Sequence, residues 1–282
     1  SGSSNSQLSG TLNTGLVAYY PFNGNANDES GNGNNGVVTS TTLTSDQYGN
    51  LNSAYKFDYT GYSNGQVDDI IYIPHNNDFN SSEISVSCWF KQTSLSYPGN
   101  PGASCFFRRG ENGYDSPPGD FWSYYIDDNG DLSFNILDDI QNISSVNSGP
   151  NLILNKWYHV VGTYDGQLLK LYLNGSLIDS LIGSNILSYQ GNSGINFGVS
   201  LQANGYWRPF NGIIDDSGIW NRALSAQEIQ QLYSNQNYSY SWSPGGETTS
   251  SITIKPSTTT TYTVDVTSGT TTCQSDVTIS VN

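Results

Sequence analysis

Two hairpin turns within residues 156–182 constrain the fold of this chain more than any other feature. The segment begins with KWYHVVGTY, in which apolar and polar residues alternate with a period of two. Asp165-Gly166 comes next, then QLLKLYL, and then Asn174-Gly175 before SLIDSLI. Asp-Gly and Asn-Gly between alternating runs are strong short-range signals for β-hairpins. The segment therefore predicts three successive antiparallel strands.

The same kind of pattern recurs along most of the chain. Asn129-Gly130 lies between FWSYYID and DLSFNIL and predicts another hairpin. Residues 91–120 are rich in Pro and Gly, so we predict a large irregular connection there. Three further segments are predicted strands: 16–22, 68–74 and 84–90. Many short strands at regular spacing predict an all-β fold, a sandwich of two antiparallel sheets.

One short helix is predicted near the end of the sandwich. Ser225 precedes Glu228 by three residues, which is the spacing of a capping box. Leu224 and Ile229 stand where a hydrophobic staple would be found. These signals place the helix at about 226–234.

The charge of the chain excludes two classes of partner. Its net charge is −15, from 24 acidic and 9 basic residues. A chain this acidic repels nucleic acid and anionic membrane surfaces, so we expect neither nucleic-acid binding nor membrane insertion. No apolar run approaches the ~18 residues of a membrane span. The abundance of Asn, Ser, Thr and Gly favours a secreted or cell-surface location.

The composition changes after residue 236. Of the 46 residues 237–282, 22 are Ser or Thr, which alone would suit a linker. The runs ITIKP, TYTVDV and VTISV still alternate, however, and this pattern predicts a small C-terminal β segment. The predicted organisation is an N-terminal extension over 1–15, a sandwich over 16–236 and a β unit over 237–282.

Five segments in order carry a family resemblance: GLVAYYPFNGNANDESGNGNNGVV, AYKFD…DDIIYIP, ISVSCWFK, NKWYHVVGTYDGQLLKLYLNGSLIDS and FNGIIDDSGIWNRALSAQEIQQLY. Over about 16–234 they resemble a laminin-G-like (concanavalin A-like lectin/glucanase) domain of secreted bacterial proteins. The resemblance implies a two-sheet antiparallel jelly-roll sandwich that acts in recognition. The tail resembles the second half of an immunoglobulin-like repeat of bacterial surface proteins, so a partial repeat is expected.

The resemblance also implies a structural calcium ion at the Asn- and Gly-rich loop 23–36. It assigns five ligands: the side chains of Asp28, Asn34 and Asp215, and the carbonyls near Gly31 and Gly36. Calcium prefers six to eight oxygen ligands, and this loop supplies carboxylate, carboxamide and carbonyl oxygens. The alternative interpretation is an Asn-rich turn that hydrogen-bonds to itself.

The sequence offers little for catalysis. Glycoside hydrolases that share the fold use two carboxylates on an E-x-D-x-x-E strand, and this string does not occur here. Serine nucleophiles lack a G-x-S-x-G elbow. His159 lies inside a predicted strand, where a structural role is the simpler interpretation. We therefore expect no enzymatic activity.

Aromatic residues beside loops are the candidates for a ligand surface. Sugars have apolar faces and polar rims, so their sites combine exposed rings with hydrogen-bonding side chains. The predicted ligand-binding set is Trp207, Tyr206 and Arg208, with Trp122 and Tyr114. The alternative is that these rings fill the ends of the sandwich. Three tryptophans within the family segments are predicted to pack in the interior: Trp89, Trp157 and Trp220.

The leading hypothesis is an extracellular, non-catalytic binding module for carbohydrate, monomeric and part of a larger bacterial surface or secreted protein. Its ligand is a glycan or a surface protein, so a protein-binding adhesion or spacer module is the first alternative. A glycosidase is the second. Cys88 and Cys105 are placed on neighbouring strands, where a disulfide and two buried thiols both remain open.

Overall fold

The computed structural model describes most of the 282-residue chain: residues 10–58, 69–94, 104–110, 120–137, 142–150, 152–183, 193–199, 209–234, 238–248, 252–268 and 271–281. Two compact units are present, Ser1–Gln230 and Gln231–Asn282. The predicted boundary between 236 and 237 falls within 235–237, which lies outside the described residues.

The described part of the first unit contains fifteen strands: β1 (Leu16–Tyr20), β2 (Val37–Thr39), β3 (Thr42–Thr44), β4 (Ala54–Phe57), β5 (Ile70–Ile73), β6 (Ile84–Gln92), β7 (Ser104–Gly110), β8 (Asp120–Ile126), β9 (Asp131–Leu137), β10 (Ile143–Pro150), β11 (Tyr158–Tyr164), β12 (Leu168–Leu173), β13 (Ser176–Ile182), β14 (Ile195–Phe197) and β15 (Gly212–Trp220).

These strands form two large antiparallel sheets. The eight-stranded sheet has the order β13-β12-β11-β6-β15-β4-β3, and β1 pairs with β15. The seven-stranded sheet has the order β10-β9-β8-β7-β14-β5-β2. The predicted two-sheet jelly-roll sandwich is therefore confirmed. The three predicted hairpins are confirmed as well, because β8 pairs with β9, β11 with β12, and β12 with β13.

The connection predicted over 91–120 is only partly irregular. Its residues Ser104–Gly110 form β7, which lies between β8 and β14 inside the seven-stranded sheet. Every residue of β7 is buried. The Pro and Gly residues that suggested a loop lie on either side of SCFFRRG, outside the strand itself. The prediction was wrong here because composition was averaged over a window wider than the strand.

Aromatic rings fill the space between the two sheets. Phe107 of the seven-stranded sheet stacks on Phe197 with ring centroids 4.1 Å apart. Phe90 of the eight-stranded sheet stacks on Phe106 across the interior at 4.7 Å. All four side chains are fully buried. Since each large ring removes much apolar area from water, this core offsets the modest hydrophobic content of the chain.

Tyr124 joins the two sheets by hydrogen bonds. Its hydroxyl, on β8, donates to the carbonyl of Val86 on β6 at 2.6 Å and accepts the N–H of Gly162 on β11. A Cβ at Gly162 would collide with the ring of Phe134, so only glycine fits beside that ring. Burial raises the pKa of Tyr124 well above its usual value, so the hydroxyl keeps its proton and remains a donor.

The predicted helix is present as α1, Ala226–Ser234. Its capping box is formed, since the N–H of Ser225 donates to Oε2 of Glu228 at 2.9 Å and the N–H of Glu228 donates to Oγ of Ser225 at 3.3 Å. Arg222 forms a bidentate ion pair with Glu228: its Nη1 donates to Oε2 at 2.9 Å and its Nη2 to Oε1 at 2.7 Å. Among the described residues, no helix has the length and apolar content needed to cross a membrane.

Part of the predicted N-terminal extension packs against the sandwich. Leu12 is buried, and its carbonyl accepts the indole N–H of Trp220 at 2.7 Å. Arg222 donates to the carbonyls of Thr11 and Thr14, at 2.9 and 2.7 Å. These contacts cover the outer face of β15 at its C-terminal end.

The cysteines of the first unit are free thiols. Cys88 lies on β6 in the eight-stranded sheet and Cys105 on β7 in the seven-stranded sheet, so they are not on neighbouring strands of one sheet as predicted. Burial raises the pKa of the Cys88 thiol, and the nearby carboxylate of Asp215 raises it further. Cys88 is therefore an unreactive, packed side chain.

The described strands of the second unit are β16 (Tyr238–Ser243), β17 (Thr260–Ser268) and β18 (Thr271–Ile279). They form a three-stranded antiparallel sheet in the order β16-β17-β18. Its side chains are mostly exposed, although Tyr262 is buried. A partial immunoglobulin-like repeat stays a prediction.

We predict that Tyr124→Phe lowers the free energy of unfolding of the first unit by about 1–3 kcal/mol, because it leaves the Val86 carbonyl and the Gly162 N–H buried without a partner. Urea denaturation measures the difference. Tyr55→Phe is the matched control, since Tyr55 is also buried but its hydroxyl makes no described hydrogen bond. Equal losses in the two variants would contradict the role of Tyr124.

We also predict a pH-dependent contribution from Glu228. The guanidinium of Arg222, together with the Ser225 cap, lowers the pKa of Glu228 to about 2. The stabilisation is therefore complete above the unfolded pKa near 4.5 and is lost as pH falls toward 2. Glu228→Gln should cost about 1 kcal/mol at neutral pH, the usual cost of a lost cap, and progressively less at pH 4 and pH 3.

Urea denaturation at each pH tests this, with the exposed Glu29→Gln as control. A difference between wild type and Glu228→Gln that does not change with pH would argue against the ion pair.

Candidate functional site

The predicted ligand-binding residues divide into two groups in the structure. Trp207, Tyr206, Arg208 and Tyr114 lie outside the described residues. Trp122 is described, and its predicted role at the surface was wrong: only 1% of it is exposed, and its ring meets Phe107 edge-on at 5.0 Å. It sits on β8 between the sheets, so it cannot stack on a sugar at the surface. The alternative, that such rings fill the interior, holds for this residue.

The outer face of the seven-stranded sheet carries a continuous line of polar side chains. On β14, Ile195 and Phe197 point into the core, so Asn196 between them points to the opposite face. The strand register then places one residue of each successive strand beside the next, in the order Tyr72, Asn196, Arg108, Ser123, Asn135 and Ser145. We call this set the polar row. At about 4.8 Å per strand it extends about 24 Å.

Three members at the centre of the polar row are deeply buried. The exposed fractions of Asn196, Arg108 and Ser123 are 1%, 2% and 2%. Neither the Oδ1 nor the Nδ2 atom of Asn196 has a hydrogen-bond partner. Arg108 has interaction partners of its own. A buried amide without partners is rare in folded proteins, and it marks this point of the sheet as a place where a ligand could supply them.

An aromatic ring lies beside Asn196. Tyr72, on β5, is its cross-strand neighbour and is half-buried. A Cβ at Gly194 would lie only 2.5 Å from the Tyr72 ring, so the ring rests where this glycine leaves room. The polar row thus places an aromatic ring, a carboxamide and a guanidinium on three adjacent strands. An aromatic face next to hydrogen-bonding side chains suits the apolar face and hydroxyl rim of a sugar.

The loop that was assigned to calcium is closed by hydrogen bonds. Oδ1 of Asp28 accepts the N–H of Tyr19 at 3.0 Å and of Ser30 at 2.9 Å, and its Oδ2 accepts the N–H of Asn34 at 2.9 Å. Three of the roughly four lone-pair positions of this carboxylate are therefore in use. The N–H of Gly36 donates to the carbonyl of Ala26 at 2.8 Å.

The other predicted side-chain ligands also have partners. Oδ1 of Asn34 accepts from Asn76 at 2.7 Å, and its Nδ2 donates to the Val17 carbonyl at 3.0 Å. Oδ1 of Asp215 accepts the N–H of Asp216 at 2.8 Å. The described residues contain no group of three or more His, Cys, Asp or Glu side chains arranged for a metal ion.

These contacts are those of a self-bonded Asn-rich turn, the alternative interpretation. A calcium ion would share the Asp28 carboxylate with three backbone N–H groups and take its remaining lone-pair position. The calcium site stays a prediction.

Of the acidic pair on β15, Asp215 is buried and Asp216 is half-buried. Asp215 is 2% exposed, and burial raises its pKa, with Asp216 adding to the shift. Burial likewise raises the pKa of Asp216 to about 6, although the hydroxyl of Tyr19 donates to it at 3.0 Å. Two acids that share a buried site repel each other, so both favour the protonated form.

A buried Ser–His pair lies on the outer face of the eight-stranded sheet. Oγ of Ser87 and Nε2 of His159 are 2.9 Å apart, and the His159 ring lies 5.1 Å from that of Trp89. Burial lowers the pKa of His159 to about 3, so the imidazole is neutral at physiological pH. Both residues are about 2% exposed. The pair is packed and hydrogen-bonded within the sheet, so a structural role remains the simpler interpretation of His159.

The sequence analysis missed the polar row. The signal for Asn196 was present in the run Ile195-Asn196-Phe197, where a polar residue interrupts apolar neighbours with strand periodicity. What the sequence could not supply was the pairing order of β5, β14 and β7, which brings Tyr72 and Arg108 to either side of it.

Solved structures share this fold. The binding domain of Paraclostridial Mosquitocidal Protein 1 matches with a TM-score of 0.61 and 18% identity, over 90% of this chain and 64% of that chain. Domain 4 of AbnA, a GH43 extracellular arabinanase from Geobacillus stearothermophilus solved with arabinotriose, matches with a TM-score of 0.56 and 21% identity, over 77% and 98%.

A third similar structure comes from a study in which cell entry of botulinum neurotoxin type C depends on two ganglioside molecules. It matches with a TM-score of 0.59 and 19% identity, over 82% of this chain and 57% of that chain. This chain therefore spans somewhat under two thirds of the toxin domains it resembles. At these identities, the likeness shows the fold.

The family is shown by the sequence match. No curated protein matches the chain. The profile of the concanavalin A-like lectin/glucanases superfamily matches residues 63–230, more than half of the chain. This match agrees with the two-sheet jelly roll of the first unit, and the chain belongs to the laminin-G-type branch of the concanavalin A-like lectin/glucanase superfamily.

Proposed function

We propose that this chain is a non-catalytic module that binds a carbohydrate outside the cell, on the outer face of the seven-stranded sheet. The observation that carries the proposal is the buried, unpartnered amide of Asn196, which lies between Tyr72 and Arg108 in the polar row. An aromatic face with amide and guanidinium donors beside it matches the mixed surface of a sugar. The arabinanase domain that shares this fold was solved with arabinotriose, which supports the same ligand class.

We propose that the loop residues predicted from the sequence contribute to the same surface. These are Tyr206, Trp207 and Arg208, together with Tyr114. Residues 111–119 connect β7 to β8, and residues 200–208 follow β14 in the chain. All three strands contribute to the polar row. Loops that extend from a rigid sheet are common carriers of ligand contacts.

A binding role without catalysis is supported by the state of the ionisable groups. Asp215 is buried and Asp216 half-buried, both with a raised pKa, and burial keeps His159 neutral. A glycosidase needs two carboxyl groups that flank a bound sugar. The extracellular setting is supported by the acidic, Asn- and Thr-rich composition and by the likeness to an extracellular arabinanase domain.

A protein ligand is the second candidate, and strand β13 favours it. This edge strand of the eight-stranded sheet exposes apolar side chains, with Leu177 52% and Ile182 79% exposed. Exposed edge strands can pair with an extended segment of another protein. A glycan array that retains no saccharide, together with partner capture that depends on β13, would favour this candidate.

The proposal predicts that the chain is retained by a glycan array that includes arabinotriose, and that it releases no reducing ends from polysaccharides.

Two tryptophan substitutions then separate binding from stability. Trp207→Ala should reduce retention at least tenfold and leave the melting temperature unchanged, because a stacked ring contributes about 1–3 kcal/mol by contact alone.

The matched control is Trp122→Ala. Because Trp122 lies in the core, its truncation should lower the free energy of unfolding by about 3–5 kcal/mol. If Trp207→Ala instead unfolds the first unit, Trp207 is an interior residue and the surface proposal is wrong. Retention of saccharides by Trp207→Ala at the wild-type level would move the ligand surface elsewhere.

We propose, separately, that calcium stabilises the first unit through the loop that contains Asp28 and the strand that contains Asp215. An ion at 100 times its dissociation constant adds ~2.7 kcal/mol, so melting temperatures with calcium and with a chelator should differ by several degrees. Asp215→Asn should abolish this difference. Asp28→Asn should lower stability under both conditions, because its carboxylate accepts three backbone N–H groups. Identical wild-type melting temperatures with and without calcium would contradict the calcium proposal.

A further inference from the structure

The side chain of Asn196 is an unusual feature for the centre of a sheet. It is 99% buried on a three-residue strand, and both of its polar side-chain atoms lack hydrogen-bond partners. Each buried polar group without a partner costs about 1–3 kcal/mol relative to its hydrated state. An apolar residue such as Val or Leu would suit this strand and would avoid that cost. The position therefore calls for an explanation beyond the fold.

The free hydrogen-bonding capacity of Asn196 is specific. A carboxamide offers two N–H donors and one carbonyl acceptor that lie side by side. Two hydroxyl groups on adjacent carbons match this arrangement, since one can donate to Oδ1 while the other accepts from Nδ2. A carboxylate or sulfate offers acceptors alone, and it would leave Oδ1 facing a second acceptor.

The surroundings also favour an uncharged ligand. Arg108 is the cation nearest in register, and it has interaction partners of its own. The chain carries a net charge of −15, which repels anionic ligands at a distance. Tyr72 on the opposite side supplies a ring rather than a charge. The net charge of the chain and the paired donor and acceptor of the amide therefore favour a neutral ligand.

We propose that Asn196 determines specificity for a neutral saccharide that carries two hydroxyl groups on adjacent carbons. This inference rests on the proposed carbohydrate-binding function and names the class of sugar at the same site. The sugar reaches the amide between the side chains of Tyr72 and Arg108, which flank it on neighbouring strands. Asn196 itself is 1% exposed in the ligand-free chain.

The test compares Asn196→Leu with Asn50→Leu. Asn50 is the control: it has the same side chain, but it lies exposed on the connection between β3 and β4 of the eight-stranded sheet, outside the polar row, and its Nδ2 donates to Asp46 at 2.7 Å. Each protein is applied to an array of neutral trisaccharides (arabino-, xylo-, cello- and maltotriose) beside acidic ones (trigalacturonate and sialyllactose). The ligand-free melting temperature of each protein is measured in parallel.

Wild type should retain at least one neutral trisaccharide and no acidic one. Asn196→Leu should lose at least tenfold of that retention, while Asn50→Leu keeps it. The ligand-free melting temperature of Asn196→Leu should equal or exceed that of wild type, because the substitution removes an unpartnered polar group from the interior. A fall in the melting temperature would show that Asn196 holds a structural water, and it would overturn the inference.

The remaining outcomes separate the two proposals. Retention of neutral sugars that is unchanged in Asn196→Leu refutes the role of Asn196 and leaves the carbohydrate-binding function standing. Preference for acidic trisaccharides refutes the neutral class and again leaves that function standing. Equal loss in Asn196→Leu and Asn50→Leu refutes a specific contact at Asn196. Failure of wild type to retain any saccharide refutes the proposed function and this inference with it.

Discussion

The sandwich depends on the spacing between its two sheets, and Tyr124 helps to fix that spacing. Its hydroxyl reaches across the interior to the backbone of β6 and β11, where it satisfies the carbonyl of Val86 and the N–H of Gly162. Gly162 in turn admits the ring of Phe134 against the backbone. A polar group that is buried and fully paired specifies one arrangement of a core, whereas apolar packing alone tolerates several. The aromatic stacks around Phe106 then fill the gap that this link defines.

Filling the interior with rings leaves only the outer faces for function, and the two outer faces differ. On the eight-stranded sheet, Ser85 bonds to the backbone of Arg222 and Leu224, and the chain around α1 covers the strands. The seven-stranded sheet instead presents the polar row. Because side chains alternate along a strand, the inward Ile195 and Phe197 place Asn196 between them on the outer face.

The sequence was sufficient for the elements whose signals are local. The hairpins at Asp165-Gly166 and Asn174-Gly175 and the cap at Ser225 depend on residues within a few positions of one another, and the structure has all three. It was insufficient where pairing is long-range. Trp122 looked like a loop aromatic because its neighbouring strand β7 was hidden between Pro- and Gly-rich segments. The order β5-β14-β7, which creates the site, joins strands far apart in the chain.

If Asn196 binds a sugar as proposed, its unpartnered amide contributes more to specificity than to affinity. In the ligand-free state it lowers stability by about 1–3 kcal/mol, which the core around Tyr124 offsets. A sugar with the matching hydroxyl pair recovers that energy on binding. A sugar that lacks one hydroxyl leaves the amide buried and unpaired. Its binding does not recover the roughly 1–3 kcal/mol cost of the unpaired amide, although the sugar loses its bound water all the same. Sites built to bond a hydroxyl therefore reject analogues that lack it far more strongly than apolar pockets distinguish one methylene from another. Placing Asn196 on a strand rather than a loop sharpens this, because pairing on both sides by β5 and β7 holds its backbone in one position.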